Sequence, residues 1–449
     1  MRLLKNIVFS VMVTVVYCSS KGGIMQYNPT LHKLSNGVTV ILDPMELETV
    51  SVKVAFATGS RDELPHEYGL THFCEHMLCK GTPRFPNKRS IDDYMDYYGG
   101  FRNASTGSGS LNFYGRILAE NINILVDFIG DQLQNSLFDP AKIEIERSVV
   151  CDELRRALDN PSRQFNDFMS EKVFGNAVSS TLNLGTIDTI MSFTRDQMLE
   201  FLSRRLSAKN CTIGISGRIL DTDALLKQLE KSFSFLPTHD VSENTDIPYT
   251  PCVAHNTKSD KNNVKLRILF PNIWPHTYEN RAKNCALGRF ERFMTKEISN
   301  VLRQDNGLVY GFGGIVVGNN ERSWNGFGTE TSATNISRVV SLIAQNAFRI
   351  YNSPEITPDV LDRYNRKDKL GDADWLESAT ARCDKLLGFY HHHGCLYDFY
   401  DTLDMFNRIT VDDVIKYSRG YFDGPMAIVT QGADFDADLK QIWNENFKA

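Results

Sequence analysis

Two runs near the start of the chain carry the apolar patterning of strands. VTVILD (38–43) and SVKVAFATG (51–59) are rich in β-branched residues and bounded by turn residues. The period then lengthens. SIDDYMDYYGG (90–100) predicts a short helix stopped by Gly99 and Gly100, and AENINILVDFIGDQLQNSLF (119–138) predicts a longer amphipathic one. Strands alternating with helices in this way imply a mixed α/β or α+β architecture.

The pattern recurs once. Residues 193–233 and 409–447 share an order of elements: a Thr that can cap an acidic helix start (Thr194, Thr410), a helix, a small apolar strand ending in Gly217 or Gly432, and a last helix after Asp221 or Asp434. The two copies lie about 215 residues apart, so the fold class expected is α+β, built as two similar mixed α/β halves rather than as an array of short repeats. The seam is LPTHDVSENTDIPYTPCVAHNTKSDKNN, polar, interrupted by prolines and without period. The boundaries expected are a leader at 1–24, a first half at 28–235, a linker at 236–263 and a second half at 264–449.

Composition narrows this only a little. With 449 residues, the chain is long enough for two cores. Hydrophobic residues at 42% and charged residues at 23% fit folded domains, and a formal charge of −6 offers no basic footprint for nucleic acid. The opening MRLLKNIVFSVMVTVVYCSS has a basic start, an apolar run and small residues after it, the layout of a secretory signal. Its apolar run is short for a membrane span, although an uncleaved anchor is the alternative. Export is therefore expected, with a cytoplasmic or mitochondrial location as the alternative. Nine cysteines with no CxxC pair fit a reducing compartment better, which pulls the other way.

Candidate chemistry concentrates in GLTHFCEHMLCKGT (69–82). On a helix His72 and His76 stand one turn apart and project from one face, with Glu75 beside them. A catalytic Zn²⁺ takes three protein ligands and keeps a position open, so these histidines supply two of three. The bland alternative is an exposed His/Glu helix face. A third ligand must come from elsewhere, and KIEIERSVVCDELRRALDNP (142–161) offers Glu146 and Glu153, seven apart and on one helix face. The run HHH at 391–393 beside Cys395 is discounted, because consecutive helical residues point about 100° apart. Cys74 and Cys79 read as small buried hydrophobes.

GLTHFCEHMLCKGTPRFP followed by IERSVVCDELRRALDNP resembles the pitrilysin, insulinase and mitochondrial-processing-peptidase family of zinc metallopeptidases. In that family HxxEH is followed after 76 intervening residues by a glutamate ligand, and the residue at that spacing from His76 is Glu153. The resemblance implies that His72, His76 and Glu153 hold Zn²⁺, that Glu75 takes the proton of the attacking water, and that Glu146 supports a histidine. It implies that Asn103, Ala104 and Ser105 lie on a strand lining the cleft, whose open edge holds an extended peptide. It further implies that Arg303 and Tyr310, in ISNVLRQDNGLVYGFGG, contact the substrate or the oxyanion from the second half. Taken alone, that stretch reads as a helix end capped by Gly307 and a strand over LVYGFGG.

The function expected is zinc-dependent hydrolysis of short or unfolded peptides. By the resemblance the chain is half of a hollow chamber, closed as a dimer with an identical or a related chain. Two other readings are a non-catalytic structural subunit and a presequence-processing subunit. Relatives of the first kind lose motif residues, which this chain keeps. Processing enzymes tend to carry acidic residues just after the third ligand, where this chain has Arg155 and Arg156.

Overall fold

The structure is a computed structural model that describes residues 27–174, 183–242, 249–258, 261–318 and 322–448. The expected leader at 1–24 and part of the expected linker lie outside the described residues. No helix among the described residues is long and apolar enough to cross a membrane.

The first half runs β1 (Thr30–Lys33), β2 (Thr39–Pro44), β3 (Thr49–Phe56), α1 (Leu70–Leu78), α2 (Lys88–Tyr97), β4 (Phe101–Thr106), β5 (Leu111–Leu118), α3 (Ile122–Asn135), α4 (Pro140–Leu158), α5 (Pro161–Phe174), α6 (Ile187–Ser192), α7 (Arg195–Arg205), β6 (Cys211–Gly217) and α8 (Thr222–Phe233). The second runs β7 (Val253–Thr257), β8 (Asn263–Pro271), α9 (Arg281–Ser299), β9 (Phe312–Gly318), β10 (Ser323–Ser332), α10 (Ile336–Asn352), α11 (Pro358–Leu376), α12 (Ala379–His393), α13 (Phe399–Arg408), α14 (Val411–Ser418), β11 (Ala427–Gly432) and α15 (Leu439–Asn446). The first sheet has the order β1-β2-β6-β3-β5-β4 and the second β7-β11-β8-β10-β9. From β2 and β7 onward the two orders correspond strand for strand, so the chain is two similar mixed α/β halves. Thr194 and Thr410 cap α7 and α14 through their side chains, each in a capping box.

Three local expectations need correcting. Val253–Thr257, inside the stretch read as a structureless linker, is β7, and it pairs in parallel with β11 as β2 pairs with β6. Its polar residues had hidden it. As an edge strand it solvates one side, and His255 and Asn256 find Thr430 and Gln431 at 2.9 Å each on β11. The last helix starts after Asp438, whose side chain accepts from the Gln441 amide, rather than after Asp434. The strand expected over LVYGFGG begins only at Phe312; Asn300–Asp305 continue α9 as a π-helical turn, and Tyr310 lies in the segment between.

Each sheet buries one face under its own half's helices. Val40, Leu42, Val52 and Val54 meet Phe73, Met77, Leu125 and Ile129 in the first core, and Ile268, Phe270 and Phe327 meet Phe290, Met294 and Val340 in the second. The opposite faces are closed by an exchange. Helix α12 lays Cys383, Leu386 and Leu387 against Ile41 of the first sheet, while α5 lays Phe165, Met169 and Val173 against Leu269, Trp324 and Val429 of the second. Full burial of such side chains is worth about 1.5–3 kcal/mol each. The approach of α12 needs a glycine: a Cβ on Gly214 would stand 2.8 Å from Leu387 Cγ and 3.0 Å from Cys383 Sγ.

Candidate metal centre

Helix α1 is only nine residues long and is fixed at both ends. Gly69 begins it at φ +90°, and a Cβ there would lie 2.7 Å from the Gly185 backbone, so both the conformation and the space call for glycine. Gly69 has no side chain to cap with. The cap comes from Glu63, which is buried and accepts from the amides of Gly69 at 2.8 Å and Thr71 at 2.7 Å. Phe73, Cys74 and Met77 anchor the helix in the first core, leaving His72, Glu75 and His76 on the other side.

The i, i+4 spacing brings the His72 and His76 ring centroids to 4.5 Å. Helix α4 passes beside α1 and supplies the third donor. Glu153 Oε2 stands 3.9 Å from His72 Nε2 and 3.7 Å from His76 Nε2. Among the described residues these three form the one cluster of potential metal ligands whose donor atoms all lie within 4.8 Å. Tetrahedral bonds of about 2.0–2.2 Å would set ligand atoms about 3.3–3.6 Å apart, so the trio fits Zn²⁺ after small side-chain movement. The Glu153 side chain is 43% exposed, which leaves an approach from solvent.

Charge is arranged to suit a cation. Burial, with help from His76 and Arg163, pushes His72 down to about 3, so its imidazole is neutral and its lone pair available. Two turns before Glu153, on the same face of α4, Glu146 accepts from His76 Nδ1 at 3.0 Å and pairs with Lys80 at 2.6 Å. Burial works against the Glu146 charge, but its His76 and Lys80 bonds outweigh that and hold it below its ordinary value. This bond fixes the His76 tautomer with Nε2 turned toward Glu153. Glu75 is raised by burial, against a 2.5 Å hydrogen bond donated by Thr106 at the end of β4.

Asn103, Ala104 and Ser105 lie on β4, whose outer side has no strand neighbour. Ala104 packs toward the first core, whereas Asn103 is exposed. Arg303 and Tyr310 are brought together with each other, the guanidinium 5.9 Å from the ring, and no contact joins either to the metal cluster among the described side-chain interactions. Tyr310 is 93% exposed. Cys74 and Cys79 are held as thiols by burial, Cys79 pushed up to about 11. Three residues of the site had escaped the sequence reading: Glu63, Thr106 and Lys80. Lys80 could have been found as the i+4 neighbour of His76; Glu63 and Thr106 carry no spacing that would have found them.

Residues 39–185 match the family described as Insulinase (Peptidase family M16), and residues 192–367 match Peptidase M16 inactive domain. An uncharacterized zinc protease of Rickettsia bellii is 34% identical over 226 residues, 50% of this chain and 54% of that protein. The mitochondrial-processing peptidase subunit beta of Dictyostelium discoideum is 31% identical over 212 residues, 47% of this chain and 45% of that one. The chain spans about half the length of these curated relatives. Among solved structures, the first half of the periplasmic protease PqqL of Escherichia coli superposes with a TM-score of 0.79 at 16% identity, covering 94% of this chain and 97% of that one. A protease from Helicobacter pylori gives 0.76 at 19% identity, covering 90% and 99%. At such identities these likenesses concern the fold.

Proposed function

The chain belongs to the M16 (insulinase) peptidase family, and from that premise we propose that it is a zinc-dependent metalloendopeptidase acting on short or unfolded peptides. The observation that carries the proposal is the meeting of His72 and His76 from α1 with Glu153 from α4, with Glu75 alongside and an open strand edge next to it. A zinc ion held there would polarise a peptide carbonyl and lower the pKa of water toward about 7.

The chain's own residues supply the rest. Burial favours the protonated form of Glu75, so its carboxylate is a ready acceptor of the water's proton and can pass it to the leaving amine. The Thr106 hydroxyl fixes one Glu75 oxygen, leaving the other to face the reaction. The free edge of β4 at Asn103, Ala104 and Ser105 offers unpaired backbone groups to an extended peptide, giving affinity with little sequence preference. Arg303 and Tyr310 enter as a substrate-contacting pair on the second half, with Tyr310 presented to solvent. Pairing with a second chain, identical or related, belongs to the same proposal. So does the chamber that two such chains would enclose.

The test uses the full chain, its zinc content and a mixed peptide library digested with and without chelator. Glu75→Gln should retain zinc and lose turnover by several orders of magnitude. Normal cleavage by that variant would remove Glu75 from its role. Zinc binding without cleavage of any peptide by the unaltered chain would favour a structural subunit. Products confined to basic leader peptides would favour a presequence-processing subunit, the reading that relatives named as processing-peptidase subunits support.

A further inference from the structure

A cavity of about 410 Å³ opens at the far end of the edge strand from Glu75, its lining including Phe101, Arg116, Leu118 and, from α12, Thr380. Its charge is unbalanced. Arg116 sits opposite Phe101 across the β4–β5 pair and opposite Ser51 across the β5–β3 pair, so it points to the face of the sheet that α12 partly covers. Two residues along β5 on that face is Tyr114, over whose ring lies Lys53 of β3, which pairs with Asp384 of α12 at 2.8 Å. Arg116 makes no ion pair or side-chain hydrogen bond among the described residues. One cation on this wall is matched and the other is not. Beside the unmatched one, Phe101 is 58% exposed and Leu118 42%, an apolar rim left open among the described residues.

Register connects the cavity to the chemistry. Thr106, which bonds Glu75, points to the α1 face, and Phe101, five residues earlier on the same strand, points to the α12 face. At about 3.4 Å per residue the two are about 17 Å apart along β4. A peptide added to this edge places cross-strand neighbours on shared faces, so a residue about four to six positions from the cut bond turns its side chain toward Arg116.

We infer that this cavity is a carboxylate-reading subsite, in which Arg116 takes an acidic side chain, or the terminal carboxylate of a short peptide, about five residues from the cleaved bond. The inference rests on the peptidase reading above and adds a preference to it. A guanidinium presents a planar fork that matches a carboxylate through two hydrogen bonds; Arg116 is exposed and so within reach of a ligand, with Phe101 and Leu118 offering apolar contact beside it. A half-open site of this kind is worth roughly tenfold in kcat/KM.

The test walks a single Glu, and in parallel a single Gln, along one peptide frame and reads cut positions and rates by mass spectrometry. A second arm compares free-acid and amidated peptides that end about five residues from the cut. The expected result is a preference of roughly tenfold for Glu, or for the free acid, at one position only, shrinking as salt is raised. Arg116→Gln should bring that ratio to near one, and Arg116→Glu should turn it toward Lys. Cleavage with equal Glu and Gln rates at every position, or a ratio that survives Arg116→Gln, overturns the inference alone. Absence of any cleavage by the zinc-loaded chain removes the peptidase reading and this inference together.

Discussion

The seam between the halves contains an ion pair whose removal should be among the most damaging single changes in the chain. Asp43, at the end of β2, is 0% exposed, and Arg382, on α12, is 1% exposed. Arg382 Nε donates to Asp43 Oδ2 at 2.6 Å, Nη2 donates to Oδ1, and the guanidinium lies 5.0 Å from the Tyr27 ring. Burial raises the Asp43 carboxyl, and the Arg382 bonds oppose the rise. Arginine stays protonated in proteins, so truncating Asp43 takes a carboxylate and two hydrogen bonds from a guanidinium that remains charged in a buried seam. Breaking one partner of such a pair costs about 3–5 kcal/mol, against a typical total stability of 5–15 kcal/mol for a domain. Replacing both partners by apolar groups of similar volume should cost far less, because the desolvation of both charges is then avoided.

The assay is a double-mutant cycle of Asp43→Ala, Arg382→Met and the pair, followed by urea unfolding. Trp375 reports locally, since its ring packs edge-on to Tyr27 at 5.9 Å and Tyr397 at 5.5 Å across the same seam. Each single variant should lose several kcal/mol, and the double should recover most of it. Singles that cost under about 1 kcal/mol, or a double whose loss equals the sum of the singles, would refute the argument from burial.

Glu63→Ala should leave the Gly69 and Thr71 amides buried without acceptors, costing about 2–4 kcal/mol and weakening zinc retention; differential scanning calorimetry with a zinc titration checks both. Glu146→Gln should weaken zinc binding by roughly 10- to 100-fold, measured by chelator competition, because His76 loses a charged partner at 3.0 Å. Burial pushes Glu291 up to about 7 from its ordinary 4.5, against hydrogen bonds from Asn325 and Tyr421. The folded state therefore holds an extra proton between those values, and this group's stabilisation, complete below pH 4.5, fades as pH rises through 7. Melting temperatures from pH 5 to 8 should show a slope on the order of 3 kcal/mol in total that Glu291→Gln flattens, and parallel curves would contradict it.

What was legible in the chain followed from local periodicity and fixed spacing. Two histidines four apart must share a helix face, and two glutamates seven apart must share another, so spacing named the candidate donors, and the family resemblance chose Glu153 over Glu146. The duplication was legible because each copy repeats a capping threonine and a glycine-ended strand. Position along the chain said nothing, however, about which sheet a helix covers. The apolar face of α12, with Cys383, Leu386 and Leu387, reads identically whether it packs on its own half or on the other. The exchange of α5 and α12 was therefore invisible, as was the strand β7, whose polarity is that of an edge.

That exchange bears on the metal centre itself. The sheet whose one face carries α1 has its other face closed by α12, and α4, which contributes Glu153, leads directly into α5 on the second sheet. The three donors come from the first half alone, and α4, held in the first core by Val150, Cys151 and Leu154, passes into an α5 docked on the second sheet. Phe165→Ala or Met169→Ala, neither at a ligand, should loosen α5 on the second sheet and weaken zinc retention in chelator competition; unchanged retention would sever α5 from the metal centre. Such an effect would need no contact with the ion, because α4 and α5 follow each other in sequence and are anchored on different sheets.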